Sequence, residues 1–168
     1  MRAPSWAGGA IAALLLCTIA VGGVLVYRAH QRPPILYATA ELSRLDRQGT
    51  IRLAELRGHP LVLNFFASWC PSCAAEMPEF DRAYRDADGK LYVVGIDAQD
   101  TPAAGLELAR RVGVSYPLAV DVGNHLYEQL QGQGMPVSAF FRSDGALARV
   151  YNGALDRQLL LQIVSTLS

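Results

Sequence analysis

"NFFASWCPSCAAEMP", Asn64 to Pro78, sets two cysteines two residues apart, directly after an apolar run and ahead of a helix-like stretch. Such a pair can close a structural bridge, hold half of a metal site, or cycle between dithiol and disulfide. Its surroundings discriminate. Upstream, "LVLNFFAS" (Leu61 to Ser68) has the length and unbroken apolar character of a strand buried on both faces of a partly parallel sheet. Downstream, "CAAEMPEFDRAYRDADG" reads as a helix broken at Pro78 and ended by Gly89. A C-x-x-C at this junction brings both sulfurs within bonding reach in one turn, beside the unsatisfied N–H groups and positive end of the helix. That setting favours a thiolate on Cys70 and lowers its pKa below the free value of about 8.5. The thiolate can attack a disulfide, and the second thiol, Cys73, can resolve the mixed disulfide. Pro71 suits the first turn, where its missing N–H has no intrahelical partner to lose.

The rival uses of the pair lack support in the rest of the chain. Zinc needs four ligands, and no second C-x-x-C is present; His30, His59 and His125 are scattered. No metal is expected. A purely structural disulfide across two residues closes a very small loop and adds little stability.

The 168 residues suit one domain plus an appendage, and 15 basic residues balance 15 acidic ones. No charge bias points to nucleic acid. Three cysteines exclude a disulfide-stapled scaffold.

The appendage is N-terminal. "AGGAIAALLLCTIAVGGVLVY" (Ala7 to Tyr27) is 21 almost wholly apolar residues, matching the roughly 20 needed to cross a bilayer core. No small-x-small cleavage site follows, since "RAHQRPP" comes next, so residues 1–30 are read as an uncleaved membrane anchor. Cys17, preceded by bulky Leu16, is then a small apolar residue in lipid rather than a lipidation site. Arg2 flanks one side and Arg28 and Arg32 the other, a count that does not favour an external C-terminal domain by the positive-inside rule. Residues 31–35 form a stiff Pro-containing linker, and residues 36–168 one domain without repeats.

Within that domain, Gln48-Gly49 with alternating residues after it signals a hairpin, "LYVVGID" a second buried strand and "PAAGLELARRVGV" a helix with proline in its first turn. "YPLAVD" is a brief strand, "VGNHLYEQLQ" a short helix, "PVSAFFRSDGALARVY" a hairpin turning at Asp144-Gly145, and "DRQLLLQIVSTL" a closing amphipathic helix. This order predicts an α/β sandwich with a mixed central sheet.

A strand, "WCPSC" and a helix with a proline five residues beyond the second cysteine resemble the thioredoxin superfamily. "LVLNFFASWCPSCAAEMPEF", "YVVGIDAQD" and "GMPVSAFFRSDGALARVYNGAL" resemble its membrane-anchored extracytoplasmic branch, the TlpA, ResA and CcmG (DsbE) type thiol-disulfide oxidoreductases, over about residues 36–168. The resemblance implies a thioredoxin-like fold with an N-terminal β-hairpin extension, preceded by one transmembrane helix. It makes Cys70 the attacking nucleophile, Cys73 the resolving thiol, Trp69 a neighbour of the active-site turn, and Pro136 a cis-proline beside the disulfide. The backbone of Met135 would pair with an incoming chain.

Two positions refine the subfamily. Cytoplasmic-type thioredoxins carry a buried aspartate where this chain has Asn64, and an amide cannot accept and return a proton as a carboxylate does. The branch offers Glu76 instead, three residues after Cys73 and on the same helix face, where partial burial would raise its pKa and let it relay the Cys73 proton. The pattern departs after Pro136: in "VSAFFR", Val137 and Ala139 take the place of hydroxyl and aromatic groups that the resemblance would put near the substrate groove, which puts the partner in question.

The resemblance implies an enzyme without a cofactor beyond its Cys70–Cys73 disulfide, tethered to the bacterial cytoplasmic membrane with its domain on the periplasmic side. It would reduce protein disulfides in cytochrome c maturation or copper-site assembly, fed by a membrane thiol-electron transporter of the DsbD/CcdA type. A disulfide-forming oxidant of the same fold is the alternative. A copper chaperone of the Sco type fits less well, because that class uses CxxxC with a distant histidine and His125 stands in no equivalent context. A peroxidase would carry Thr or Ser three residues before its reactive cysteine, where this chain has Ala67.

Overall fold

A computed structural model describes residues 40–167. The expected anchor (1–30), the linker (31–35) and the first residues of the domain lie outside the described residues. Among the described residues, no helix is long and apolar enough to cross a membrane.

The sheet grows from the apolar run that the sequence marks. β3 (Leu61–Phe66) is buried at every position, pairs in parallel with β4 (Tyr92–Asp97) on one side and antiparallel with β6 (Val137–Phe141) on the other. A strand with neighbours on both edges and cover on both faces tolerates a continuous apolar run. β4 continues in parallel to β5 (Leu118–Val120), and β6 turns back into β7 (Leu147–Asn152). The hairpin of β1 (Glu41–Arg44) and β2 (Thr50–Arg52) adds antiparallel to β5, completing a seven-stranded mixed sheet in the order β2-β1-β5-β4-β3-β6-β7. β2 gives way after three residues to a 3-10 turn, Leu53–Leu56, which buries Leu53. The alternation expected after Gly49 is therefore shorter than the sequence suggests.

Strand alternation divides the core into two faces. Val62 and Phe66 meet the side covered by α1 (Pro71–Asp86), α2 (Pro102–Val112) and α4 (Arg157–Val164). Leu61, Leu63 and Phe65 meet the other side, closed by Leu53 and by α3 (His125–Gln129). Five phenylalanines are fully buried, and side chains of this kind contribute roughly 1.5–3 kcal/mol each when taken from water.

α1 runs unbroken through Pro78 and ends at Asp86, three residues before Gly89. The expected break at Pro78 does not occur. Proline removes one N–H bond, toward Ala74, but Cys73, Glu76, Met77, Phe80 and Ala83 bury one stripe of the helix against the sheet on both sides of it. That packing holds the helix together across the missing bond.

Candidate active site

Two adjoining elements meet at the cysteines. β3 ends at Phe66, the chain turns through Ser68 and Trp69, and Cys70 becomes the N-cap of α1 with Pro71 at the first helical position. The Cys70 sulfur accepts a hydrogen bond from the Cys73 N–H at 3.1 Å, an N-cap interaction made by sulfur in place of oxygen. Cys70 and Cys73 are joined as a disulfide with a Cα–Cα distance of 5.3 Å. Cys73 is wholly enclosed, whereas Cys70 retains 3% exposure. Of the two sulfurs, Cys70 is therefore the one that an incoming thiol or disulfide can reach.

The loop after β4 supports the cysteine turn from below. Ser68 N–H donates to the Asp100 carboxylate, and the Trp69 indole N–H donates to the Gln99 carbonyl at 3.0 Å. Gln99 holds a positive φ of 57°, stabilised by its N–H donating to Asn124 Oδ1 at 2.7 Å. Trp69 itself is 56% exposed, which leaves a large apolar ring at the mouth of the site.

The Met135–Pro136 peptide bond is cis, as the resemblance implies. Its approach loop is anchored on both sides: Tyr127 Oη donates to the Gly134 carbonyl at 2.7 Å, and Gly153 N–H donates to the Pro136 carbonyl at 2.9 Å. Val137 and Ala139 correct an expectation. Both are fully buried in the sheet core on the α3 side, so they line no substrate groove. Strand alternation after Pro136 turns them inward.

Beneath the cysteines lies a buried polar chain. Asn64 is at the centre of β3, on the α1 face between Val62 and Phe66, and its Nδ2 donates to Glu76 Oε1 at 2.8 Å. Glu76 Oε2 accepts from the Leu155 backbone N–H at 2.8 Å. Tyr116 Oη donates to Asn64 Oδ1 at 3.4 Å. Glu76 is 3% exposed and sits one helical turn beyond Cys73 on the same buried stripe. Burial raises its pKa to about 7 against the opposing pull of the Leu155 and Asn64 donors. A carboxyl poised near neutrality beside a thiol can take or return a proton at working pH.

Glu76 also lines a cleft of about 460 Å³ between α1 and the start of α4, with Ser72, Ala75, Glu79, Asp156 and Arg157 along its walls. The carboxyl thus lies at the edge of the molecule's interior rather than at its centre.

Sequence reading missed three participants. Tyr116 reaches the site from the far side of β4; the Leu155 donor is a backbone group and leaves no signature in residue type. The third is Asp97, at the end of β4, which is fully buried with neither carboxylate oxygen hydrogen-bonded to a described residue. Its burial, with Asp100 nearby, lifts its pKa to about 7. "GID" followed by a polar loop offered a faint signal, but an acid at a strand end is ordinarily solvated.

Residues 37–150 match the family described as AhpC/TSA. The ResA thiol-disulfide oxidoreductase of Halalkalibacterium halodurans is 25% identical over 117 residues, 68% of this chain and 66% of that protein. The chain thus spans a little under two thirds of that relative's length. The solved structure of MTB DsbF, in mixed oxidized and reduced forms, superposes with a TM-score of 0.72 at 22% identity, covering 79% of this chain and 97% of that one. The exposed lipoprotein thioredoxin Etrx1 of Streptococcus pneumoniae gives 0.67 at 26% identity, covering 76% and 98%.

Proposed function

The chain belongs to the AhpC/TSA family, and we propose that within it the protein is a thiol-disulfide oxidoreductase of the ResA/DsbE kind. We take it to be tethered by its N-terminal apolar segment to the bacterial cytoplasmic membrane, with the described domain outside. The observation that carries the chemistry is the pairing of a Cys70–Cys73 disulfide at the start of α1 with the buried carboxyl of Glu76 one turn on.

The cycle starts from the dithiol. Cys70 thiolate attacks one sulfur of a protein disulfide, forming a mixed disulfide and releasing the other substrate sulfur as a thiolate that takes up a proton. Glu76 accepts the proton of Cys73, and the resulting thiolate attacks Cys70 Sγ. The substrate leaves as a dithiol, having gained two electrons, and the Cys70–Cys73 disulfide is left behind. A membrane thiol-electron transporter of the DsbD/CcdA type would restore the dithiol. Trp69 and the Met135–Pro136 segment would contact the substrate chain, the latter by backbone pairing. Tethering raises the effective concentration near membrane partners. Apocytochrome c or copper-site cysteines are the substrate class we favour.

The test is the reduction potential of the full chain in detergent. A value near that of thioredoxin, about −270 mV, supports a reductant; one near that of DsbA, about −120 mV, sinks that direction and leaves a disulfide-forming oxidant. A periplasmic reporter fused after Ser168 reads the orientation directly.

A further inference from the structure

We propose that Tyr116 is a positioning residue for Glu76, acting through an Asn64 side-chain amide that reverses its orientation when Glu76 gains or loses a proton. The inference rests on the reading of Glu76 as the proton carrier of the reaction and adds how the fold lets it hold either charge state.

The geometry is a three-membered relay of side chains. With Glu76 ionised, Tyr116 Oη–H donates to Asn64 Oδ1 and Asn64 Nδ2–H donates to Glu76 Oε1, at 3.4 and 2.8 Å. All three side chains are buried. Glu76 Oε2 faces the Leu155 N–H, so a proton carried on Oε1 leaves that bond intact but replaces an acceptor with a donor there, and the Asn64 amide as it stands would then set N–H against O–H. Leaving a buried polar group unpaired costs roughly 1–3 kcal/mol. Turning the amide over removes the conflict: Glu76 O–H donates to Asn64 Oδ1, and Asn64 Nδ2–H donates to the Tyr116 hydroxyl oxygen, which accepts as readily as it donates. An amide offers both a donor and an acceptor, whereas an ionised aspartate only accepts, which gives Asn64 a use that an aspartate carboxylate could not fill.

The surroundings hold the other end of the relay in place. Ser115, the neighbour of Tyr116, is tied to α1 by two hydrogen bonds to Asp81 Oδ1, at 2.6 Å from its N–H and 2.7 Å from its hydroxyl. The Tyr116 ring packs edge-on against Tyr84 and passes over β4 at Gly95, where a Cβ would lie 2.8 Å from Tyr116 Cε2. Gly95 is the direct strand partner of Asn64, so the missing side chain opens the path between them. Tyr116 stays neutral throughout, because burial, with the charges of Glu76 and Asp81 nearby, drives its pKa well above the usual phenol value. The groups facing Glu76 are Asn64 from β3, Tyr116 through Asn64, and the Leu155 N–H ahead of α4; Glu79, Asp156 and Arg157 share its cleft.

The experiment uses the full oxidised chain in detergent, labelled with ¹⁵N-asparagine. Only three asparagines occur, Asn64, Asn124 and Asn152, so the Asn64 amide is readily identified. As pH falls through the Glu76 midpoint, read separately from its side-chain carboxyl ¹³C signal, the Asn64 amide protons should gain proximity to the Tyr116 ring. Amide-to-ring proximities that stay constant across the Glu76 titration overturn the proposal. The second arm is Tyr116→Phe, which keeps the ring and loses only the hydroxyl. The ionised relay is polarised by charge and depends more on the phenol donor. The Glu76 midpoint should therefore rise by about half a pH unit or more, the equivalent of one modest hydrogen bond. An unchanged or lowered midpoint overturns the coupling. If Glu76→Gln leaves turnover untouched, the role of Glu76 as proton carrier fails, while both of these measurements still report on the amide.

Discussion

Asn64 and Glu76 stand twelve residues apart in the chain and 2.8 Å apart in the fold, joined by a hydrogen bond from an amide to a buried carboxyl. The contact brings the centre of β3 against the second turn of α1, directly beneath the cysteines. It leaves the protein with a proton-holding group near neutrality, almost wholly buried at the edge of a cleft.

Glu76→Gln preserves shape and one acceptor but removes the titrating group. Turnover of a protein disulfide by the wild type should rise with pH through about 7, as Glu76 becomes able to accept the Cys73 proton. In the variant that inflection should disappear and the rate at high pH should fall about a hundredfold, the scale of a lost general base. Steady-state reduction rates across pH 5 to 9 decide it (roughly two units either side of the midpoint).

Stability should run against the usual acid-denaturation trend. Glu76 and Asp97 both carry folded-state pKa values of about 7, above their ordinary values of 4.5 and 3.8. The folded protein therefore binds more protons than the unfolded chain between those limits, and stability falls as pH rises through that window. Above it the raised Glu76 value alone has cost roughly 3 kcal/mol, and Asp97 adds to the slope in the same direction. Melting temperature should drop from mildly acidic pH to pH 8, and Asp97→Asn should remove part of the slope. A flat profile would contradict the burial argument.

Cys73→Ser should accumulate mixed disulfides on Cys70, since the resolving sulfur is gone while the outer one remains. Cys70→Ser should accumulate few, because Cys73 has no exposed surface. Non-reducing gels of cells producing each full-length variant compare the two; equal trapping would reverse the assignment.

Gly95→Ala tests the space that Tyr116 occupies. The added methyl would lie 2.7 Å from Leu118 Cδ2 and 2.8 Å from Tyr116 Cε2 in a fully covered part of the sheet. Overpacking of this kind costs about 1–3 kcal/mol, outweighing the intrinsic gain from losing a glycine within a strand. Denaturant midpoints should fall, with the slope unchanged.

Much of this architecture is legible in the sequence alone. Leu61–Phe66 announced a central strand by its unbroken apolar run, Asp144-Gly145 a hairpin, and the closing amphipathic segment a helix, because each signal is local and period-based. The cysteines and Pro71 were legible for the same reason, since their relation is one helical turn; the family resemblance singled out Glu76, and helix spacing placed it on the Cys73 face. Pro78 misled, since its cost is local but the packing that absorbs it comes from β3, β4 and α4. Val137 and Ala139 misled as well, because the phase of β6 relative to the core cannot be counted from Pro136 alone.

By itself the sequence determined where the reactive sulfurs lie and which helix face carries the carboxyl, since three-residue spacings on a helix need no tertiary information. Only the tertiary structure decided the chemical character of that carboxyl. Its pKa follows from burial under α1, an amide from β3 and a backbone N–H from the loop before α4, the last 79 residues away in sequence. Desolvation depends on what surrounds a group in three dimensions, and no periodicity along one chain encodes the proximity of Tyr116, Asn64 and Glu76.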